Sequence, residues 1–259
     1  MKRADDAVQN LALISRKIEH FIASYVSENS ARGLVIGLSG GLDSSVVLKL
    51  AVNAIGPDRV YGLIMPSSAT PDQDVADAIE YAKELGVRYQ VIKIEPMIET
   101  YLRSLPENER ARGNLSARIR MNILYYNAAL KGYLVVGTSD KSEKLLGFFT
   151  KFGDGAADIL PIADLYKTQV RNLASYLGIP KGIVEKKSSP RLWKNHLAEE
   201  ELGLSYDKLD PILQLLIEKN KTPREVARKL GISLAEIQRV KEMVDRTAHK
   251  RKPIPFAKI

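Results

Sequence analysis

The chain contains no cysteine among its 259 residues. Disulfides, thiolate metal sites and cysteine nucleophiles are thereby excluded. Long apolar runs are missing as well: none approaches the ~20 residues a helix needs to cross a bilayer. The opening residues, Met1-Lys2-Arg3-Ala4-Asp5-Asp6, lack the apolar centre of a secretory signal. These absences make the cytoplasm the expected compartment and leave no role for a membrane. No repeat, low-complexity tract or Gly/Ser linker divides the chain, so residues 1–259 read as one domain. Positive charge is what the chain has in excess: 39 Lys and Arg against 31 Asp and Glu give a net +8. That balance favours an anionic partner, either nucleotide or nucleic acid.

The most informative segment is Gly37-Leu38-Ser39-Gly40-Gly41-Leu42-Asp43-Ser44-Ser45. An apolar run from Gly33 to Ile36 precedes it, and Val46 to Val52 follows with the spacing of a packed helix. Strand, glycine-rich turn and helix in that order aim free N–H groups and a positive helix end at one point. Adjacent glycines allow positive φ and close approach of a ligand. Ser39, Ser44 and Ser45 add hydroxyl donors. The segment is built to hold an anion, although Asp43 as a simple helix N-cap is the plainer alternative. It is neither a Walker loop, since no lysine stands at the required place, nor a G-x-G-x-x-G fingerprint. An acid beside phosphate needs a cation between them, and Mg²⁺ favours carboxylate plus phosphate oxygens.

Helical spacing runs from Val8 to Val26, with Val8, Leu11, Ile14, Ile18, Phe21, Ile22 and Tyr25 on one face. Further strands are expected at Val60–Met65, Tyr89–Ile94, Tyr133–Val136 and near Ile159-Leu160. Helices fall between them, one starting at Pro71 behind a Thr70 cap, one over Leu115–Lys131 and one over Tyr166–Leu177. This alternation predicts an α/β fold: a doubly wound, mainly parallel five-stranded sheet with helices on both faces and a helical C-terminal part. Ligands of such sheets bind where the strand order reverses, so the segments after the first and fourth strands should face each other. The second of these holds Thr138, Asp140, Glu143, Lys151, Asp154 and Asp158. Glu143 is placed to complete a Mg²⁺ shell with Asp43. The competing reading is an ordinary polar surface loop. Past Thr222, Pro223 to Val240 mimics a helix-turn-helix, though two amphipathic helices packed at a tight corner give the same pattern.

Ser-Gly-Gly-Leu-Asp-Ser-Ser resembles the loop of enzymes that split ATP into AMP and pyrophosphate. Lys141-Ser142-Glu143, Gly147 to Ile162 (GFFTKFGDGAADILPI) and Asp164 to Arg171 narrow the resemblance to the ammonia-dependent NAD synthetases. Asn114 to Arg120, Glu201-Leu202-Gly203 and His249-Lys250-Arg251 extend it over nearly the whole chain. The resemblance implies that Gly37, Leu38, Ser39, Gly40, Gly41, Leu42, Asp43 and Ser44 bind ATP phosphates. It assigns Asp43 and Glu143 to Mg²⁺, and Thr138, Lys167 and Ser189 to ATP. Arg118, Lys151, Asp154, Asp158, His249 and Lys250 would bind deamido-NAD. Asp43, Lys151 and Lys167 would stabilise charge during reaction. The pattern departs between Lys186 and Glu201, where Ser188-Ser189-Pro190 and His196-Leu197-Ala198-Glu199 replace a proline-rich loop and Gln-Thr-Asp-Glu. Asp140 stands where asparagine or arginine is more usual.

The implied reaction is amidation of deamido-NAD. Its nicotinate carboxylate attacks the α-phosphorus of ATP, releasing pyrophosphate, and ammonia then displaces AMP from the mixed anhydride. No side-chain nucleophile is required, in keeping with the absent cysteine. That absence also excludes a built-in cysteine glutaminase, so nitrogen comes as free ammonia or from a separate ammonia-supplying protein. A homodimer is implied by the resemblance alone. Two other readings are an adenylating tRNA-modification enzyme and a nucleotide-sensing DNA-binding regulator. Both would show nucleic-acid binding that weakens steeply with salt.

Overall fold

The computed structural model describes residues 2–258. Helix α1 (Lys2–Glu28) leads into β1 (Gly33–Gly37), α2 (Leu42–Ile55), β2 (Val60–Ile64), α3 (Asp72–Glu84) and β3 (Arg88–Val91). Two helices, α4 (Glu95–Leu102) and α5 (Glu109–Lys131), then return the chain to β4 (Tyr133–Val136). The strands are parallel in the order β3-β2-β1-β4. The chain winds one way from β1 and then crosses to its other side, so the order reverses between β1 and β4. That reversal opens a crevice at their carboxyl ends.

Alternation along β1 explains the two faces. Leu34 and Ile36 point toward α1, α2 and α3, joining Ile22, Val46, Leu50 and Leu173 in one buried cluster. Val35 points the other way, with Leu63, Ile98, Ile119 and Val135 under α4 and α5. Successive side chains of a strand take opposite faces, so a central strand is apolar at both parities. On α1, Ile22 and Val26 are buried, whereas Val8 and Phe21 are exposed and lie off the expected face.

The sheet has four strands rather than the expected five. Ile159 forms only an isolated parallel bridge to Val136. Pro161 follows closely, and a proline offers no N–H to a growing ladder. The Asp158 carboxylate takes the Val135 amide at 2.7 Å, substituting for one strand partner. At Pro71 the helix begins one residue later than expected, because the Thr70 hydroxyl accepts from the Ser67 amide instead of capping α3.

Beyond β4 come α6 (Lys141–Leu146), α7 (Lys167–Tyr176), α8 (Lys181–Val184), α9 (Ala198–Leu202) and α10 (Tyr206–Leu213). A π-helical turn over Gln214–Glu218 precedes α11 (Pro223–Leu230), α12 (Leu234–Arg246) and α13 (Ala248–Arg251). The α11–α12 corner has a capping box at each start, Thr222 with Glu225 and Ser233 with Glu236, and Gly231 turns it at positive φ. Its apolar residues Val226, Ile237, Val240 and Val244 are buried against α6 and α10. The two helices thus pack as a corner on the C-terminal helical part.

Candidate functional site

A cleft of about 330 Å³ opens at the β1/β4 reversal, a volume within the range of small-molecule sites. Its floor is the turn between β1 and α2. Gly40 adopts φ +71° there, and a Cβ on it would sit 2.0 Å from the carbonyl oxygen of Asp74. Only glycine fits. Ser39 and Ser44 hydroxyls lie 3.0 Å apart, and Ser44 and Ser45 donate to the Gly41 carbonyl at 3.1 and 2.9 Å. These bonds shape the turn from within, so Ser45 serves the fold. No side chain caps the amino end of α2. Its first amides are left for a ligand.

Opposite this turn, the Lys167 ammonium sits among three carboxylates. Its Nζ lies 2.7 Å from Asp43, 2.9 Å from Asp140 and 2.8 Å from Glu143. Three helices supply these groups. Asp43 is in the first turn of α2, Asp140 caps α6 through the Glu143 amide at 2.8 Å, and Lys167 begins α7. Buried Asp210 fixes the last two helices together: it accepts from Ser142 Oγ and from the amide and hydroxyl of Thr168. The Lys167 amide donates in turn to Ser142 Oγ.

Charge in this cluster is out of its ordinary range. Burial, reinforced by the neighbouring Asp43, pushes the Asp140 carboxyl up to about 6 against the pull of Lys167. Burial with Asp140 and Asp43 pushes Glu143 up to about 8. Burial disfavours the charge of Lys167, but the three acids outweigh it and hold the ammonium well above its usual value. Asp140 Oδ2 is met by the Lys167 ammonium, whereas Asp43 Oδ1 is buried with no hydrogen-bond donor. Three carboxylates with one oxygen left over fit Mg²⁺, a hard cation that takes oxygen ligands.

The segment from Lys186 to Leu197 crosses over the cleft. Lys186 Nζ donates to Gly40 O at 2.8 Å and pairs with Asp74 at 2.9 Å and with Asp77. Arg191 Nε reaches the other Asp74 oxygen at 2.8 Å. Trp193 stacks on His196 with centroids 3.5 Å apart and planes 9° apart, and His196 Nε2 bonds Glu201 at 2.7 Å. Asp74, Lys186, Arg191 and Trp193 line the cleft, as does Arg120, which donates to Met65 O. None of these five was singled out for the site from its residues. Arg120 closes the Asn114–Arg120 motif, and Lys186 opens the segment that departs from the family pattern, so those two had a signal.

The expected phosphate-binding residues Gly37, Leu38, Ser39, Gly41, Leu42 and Ser44 line the cleft, and Gly40 packs just behind. Asp43, Thr138, Glu143, Lys167 and Ser189 line it too. The residues expected to bind deamido-NAD are divided. Asp154 and Lys250 face the cleft, where Lys250 donates to Gly147 O and Phe149 O at 2.7 Å each. Arg118, Lys151 and His249 form a run outside the lining, Arg118 and His249 exposed and Lys151 half-buried, with Arg118 donating to Lys151 O and Lys151 to His249 O. Asp158 is also outside it, at the sheet edge.

The profile of the NAD synthase family matches residues 14–254. The chain belongs to the NAD synthase family. An NH(3)-dependent NAD(+) synthetase of Hyperthermus butylicus is 50% identical over 241 residues, covering 92% of this chain and 87% of the relative. Among solved structures, the NMN synthetase of Francisella tularensis superposes with TM-score 0.86 at 35% identity. The NH3-dependent NAD synthetase of Campylobacter jejuni superposes with TM-score 0.83 at 32% identity. Each alignment covers 96% of this chain and 99% of the other.

Proposed function

We propose that this NAD synthase family member is an ammonia-dependent ligase that amidates deamido-NAD at the expense of ATP. AMP and pyrophosphate are the co-products. The observation that carries the reading is the meeting of the α2 turn with the Asp43–Lys167–Glu143 cluster at the sheet's reversal point. Family membership supports the reaction class.

The turn amides and the positive end of α2 hold the triphosphate. Asp43 and Glu143 would hold Mg²⁺, which would supply positive charge to offset that of the phosphates. Lys167 keeps its proton in this site and stabilises the charge that builds on phosphate oxygens as pyrophosphate leaves. Thr138 and Ser189 contact ATP. Lys186 already reaches the turn through Gly40 O and stands ready for the departing pyrophosphate. Trp193 and Phe148, both on the cleft wall, exclude water from the mixed anhydride until ammonia arrives. Arg118, Lys151, Asp154, Asp158, His249 and Lys250 bind the dinucleotide. Lys151, outside the lining, serves the phosphates of deamido-NAD rather than those of ATP.

The cleft draws on residues from Gly37 to Lys250, which supports residues 1–259 acting as one synthetase domain. A homodimer is favoured by Tyr126 and Leu130, 70% and 72% exposed and one turn apart on α5. The cytoplasm is the compartment in keeping with this chemistry. Among the described residues no helix is long and apolar enough to cross a membrane.

The test supplies purified protein with ATP, Mg²⁺ and deamido-NAD, adding ammonium or glutamine. Ammonium should yield NAD⁺, AMP and pyrophosphate in equal amounts, and glutamine none without a partner protein. A parallel arm replaces deamido-NAD by nicotinate mononucleotide, because one structural neighbour is an NMN synthetase. Faster turnover of the mononucleotide would reassign the substrate. Absence of pyrophosphate in every arm would refute the reading.

A further inference from the structure

Asp140 is fully buried, yet the reaction outlined above gives it no part. Its two oxygens do different things. Oδ1 accepts the Glu143 amide and starts α6. Oδ2 points into the cluster, where its one partner is the Lys167 ammonium at 2.9 Å. Asp43 Oδ1, also buried, is left without a donor in the same place. An ion-paired oxygen of Asp140 and an unpartnered oxygen of Asp43 thus share one cluster with a single ammonium.

We propose that Asp140 makes this a three-carboxylate site that binds a divalent cation before any nucleotide arrives, with Lys167 moving off-centre to admit it. Geometry favours this. The three acids present oxygens within 4.8 Å of one another. Each stands 2.7 to 2.9 Å from the ammonium. A Mg²⁺ ion in its place would require each oxygen to close by about 0.7 Å, to the ~2.1 Å of a Mg–O bond. Carboxylate rotation on α2 and α6 supplies that movement. The cap bond through Oδ1 keeps Oδ2 aimed inward while it occurs.

This inference rests on the cleft being the Mg²⁺ and ATP site, but its readout is independent of turnover. Mn²⁺ is titrated into the nucleotide-free full-length chain and free Mn²⁺ is followed by electron paramagnetic resonance, with Mg²⁺ as competitor. The wild type should sequester one equivalent, released by excess Mg²⁺. Asp140→Asn retains the Oδ1 cap and should weaken Mn²⁺ binding by about tenfold or more. Asp140→Ser, also a good helix cap, should do the same if the asparagine variant is poorly folded. Asp43→Asn should lose the ion as well. A wild type that binds no Mn²⁺ without nucleotide, or well-folded Asp140 variants that bind as tightly as wild type, would overturn the proposal. The latter result would leave Oδ2 as a counter-ion of Lys167 alone. Tight Mn²⁺ binding in a protein that makes no NAD⁺ would instead overturn only the assigned reaction.

Discussion

Gly40→Ala and Gly41→Ala are neighbours in sequence and should separate stability from ligand binding. At Gly40 the backbone sits at φ +71°, and the new Cβ would lie 2.0 Å from Asp74 O and 2.8 Å from its carbonyl carbon. Both contacts are to backbone, which cannot swing aside. A left-handed alanine costs about 1 kcal/mol. Forcing a methyl into packed backbone costs a further ~1–3 kcal/mol. The loss should therefore be about 2–4 kcal/mol. It spreads, because Gly40 O accepts Lys186 and Asp74 holds Lys186 and Arg191. At Gly41, φ is −98° and the only near atom is Ser39 Oγ at 3.3 Å, which can rotate away. Gly41→Ala should change stability by less than about 0.5 kcal/mol, since an allowed alanine also narrows the unfolded ensemble. Urea unfolding followed by the fluorescence of the single tryptophan, Trp193, reads both. ATP binding should suffer in each variant, because a methyl intrudes where phosphate must approach the amides. A Gly40→Ala midpoint within about 0.5 kcal/mol of wild type, or equal destabilisation by both alanines, would refute the reasoning.

Two further outcomes follow from the cluster around Lys167. Asp210→Ala leaves Ser142 Oγ, Thr168 N and Thr168 Oγ1 without their buried acceptor; it should cost about 3 kcal/mol in urea unfolding, and a loss below ~1 kcal/mol would deny Asp210 its anchoring role. Glu143 is pushed up from 4.5 to about 8, so between those values the folded chain holds a proton the unfolded chain has shed. The stability this confers is complete below the unfolded value and is lost as pH rises through 8. In EDTA the melting temperature should accordingly fall from about pH 5 to about pH 8, and Glu143→Gln should flatten that slope. An unchanged slope in the variant would contradict the assignment.

The β1–turn–α2 unit is legible in the sequence because the signals that mark it are local. An apolar run, two glycines and a spaced apolar helix lie within about twenty residues and need no distant partner to be recognised. The meeting of Asp43 and Glu143 follows from the topology of parallel sheets rather than from either residue. Lys167 is different. It is a lysine at a helix start, and only resemblance to a family set it in the site. The cover from Lys186 to Leu197 was not legible as a contact. It is irregular, so it has no period, and its bonds reach Asp74 and Gly40 across 112 and 146 residues. The fifth strand was over-read because Ile159-Leu160 looks like a strand core. Pro161 and the Asp158 side chain stop it at one bridge. Val8 and Phe21 fit a helical face by spacing, but the buried stripe of α1 runs through Ile22 and Val26 and leaves both exposed.

The most direct test of the central claim, that the turn and the acid cluster prime a carboxylate by adenylation, is an isotope transfer. Deamido-NAD labelled with oxygen-18 in its nicotinate carboxylate is converted with ATP, Mg²⁺ and ammonium, and the products are weighed by mass spectrometry. Transfer of one labelled oxygen to AMP, with pyrophosphate unlabelled, is the result expected. Label in pyrophosphate or orthophosphate, or release of ADP in place of AMP, would contradict it.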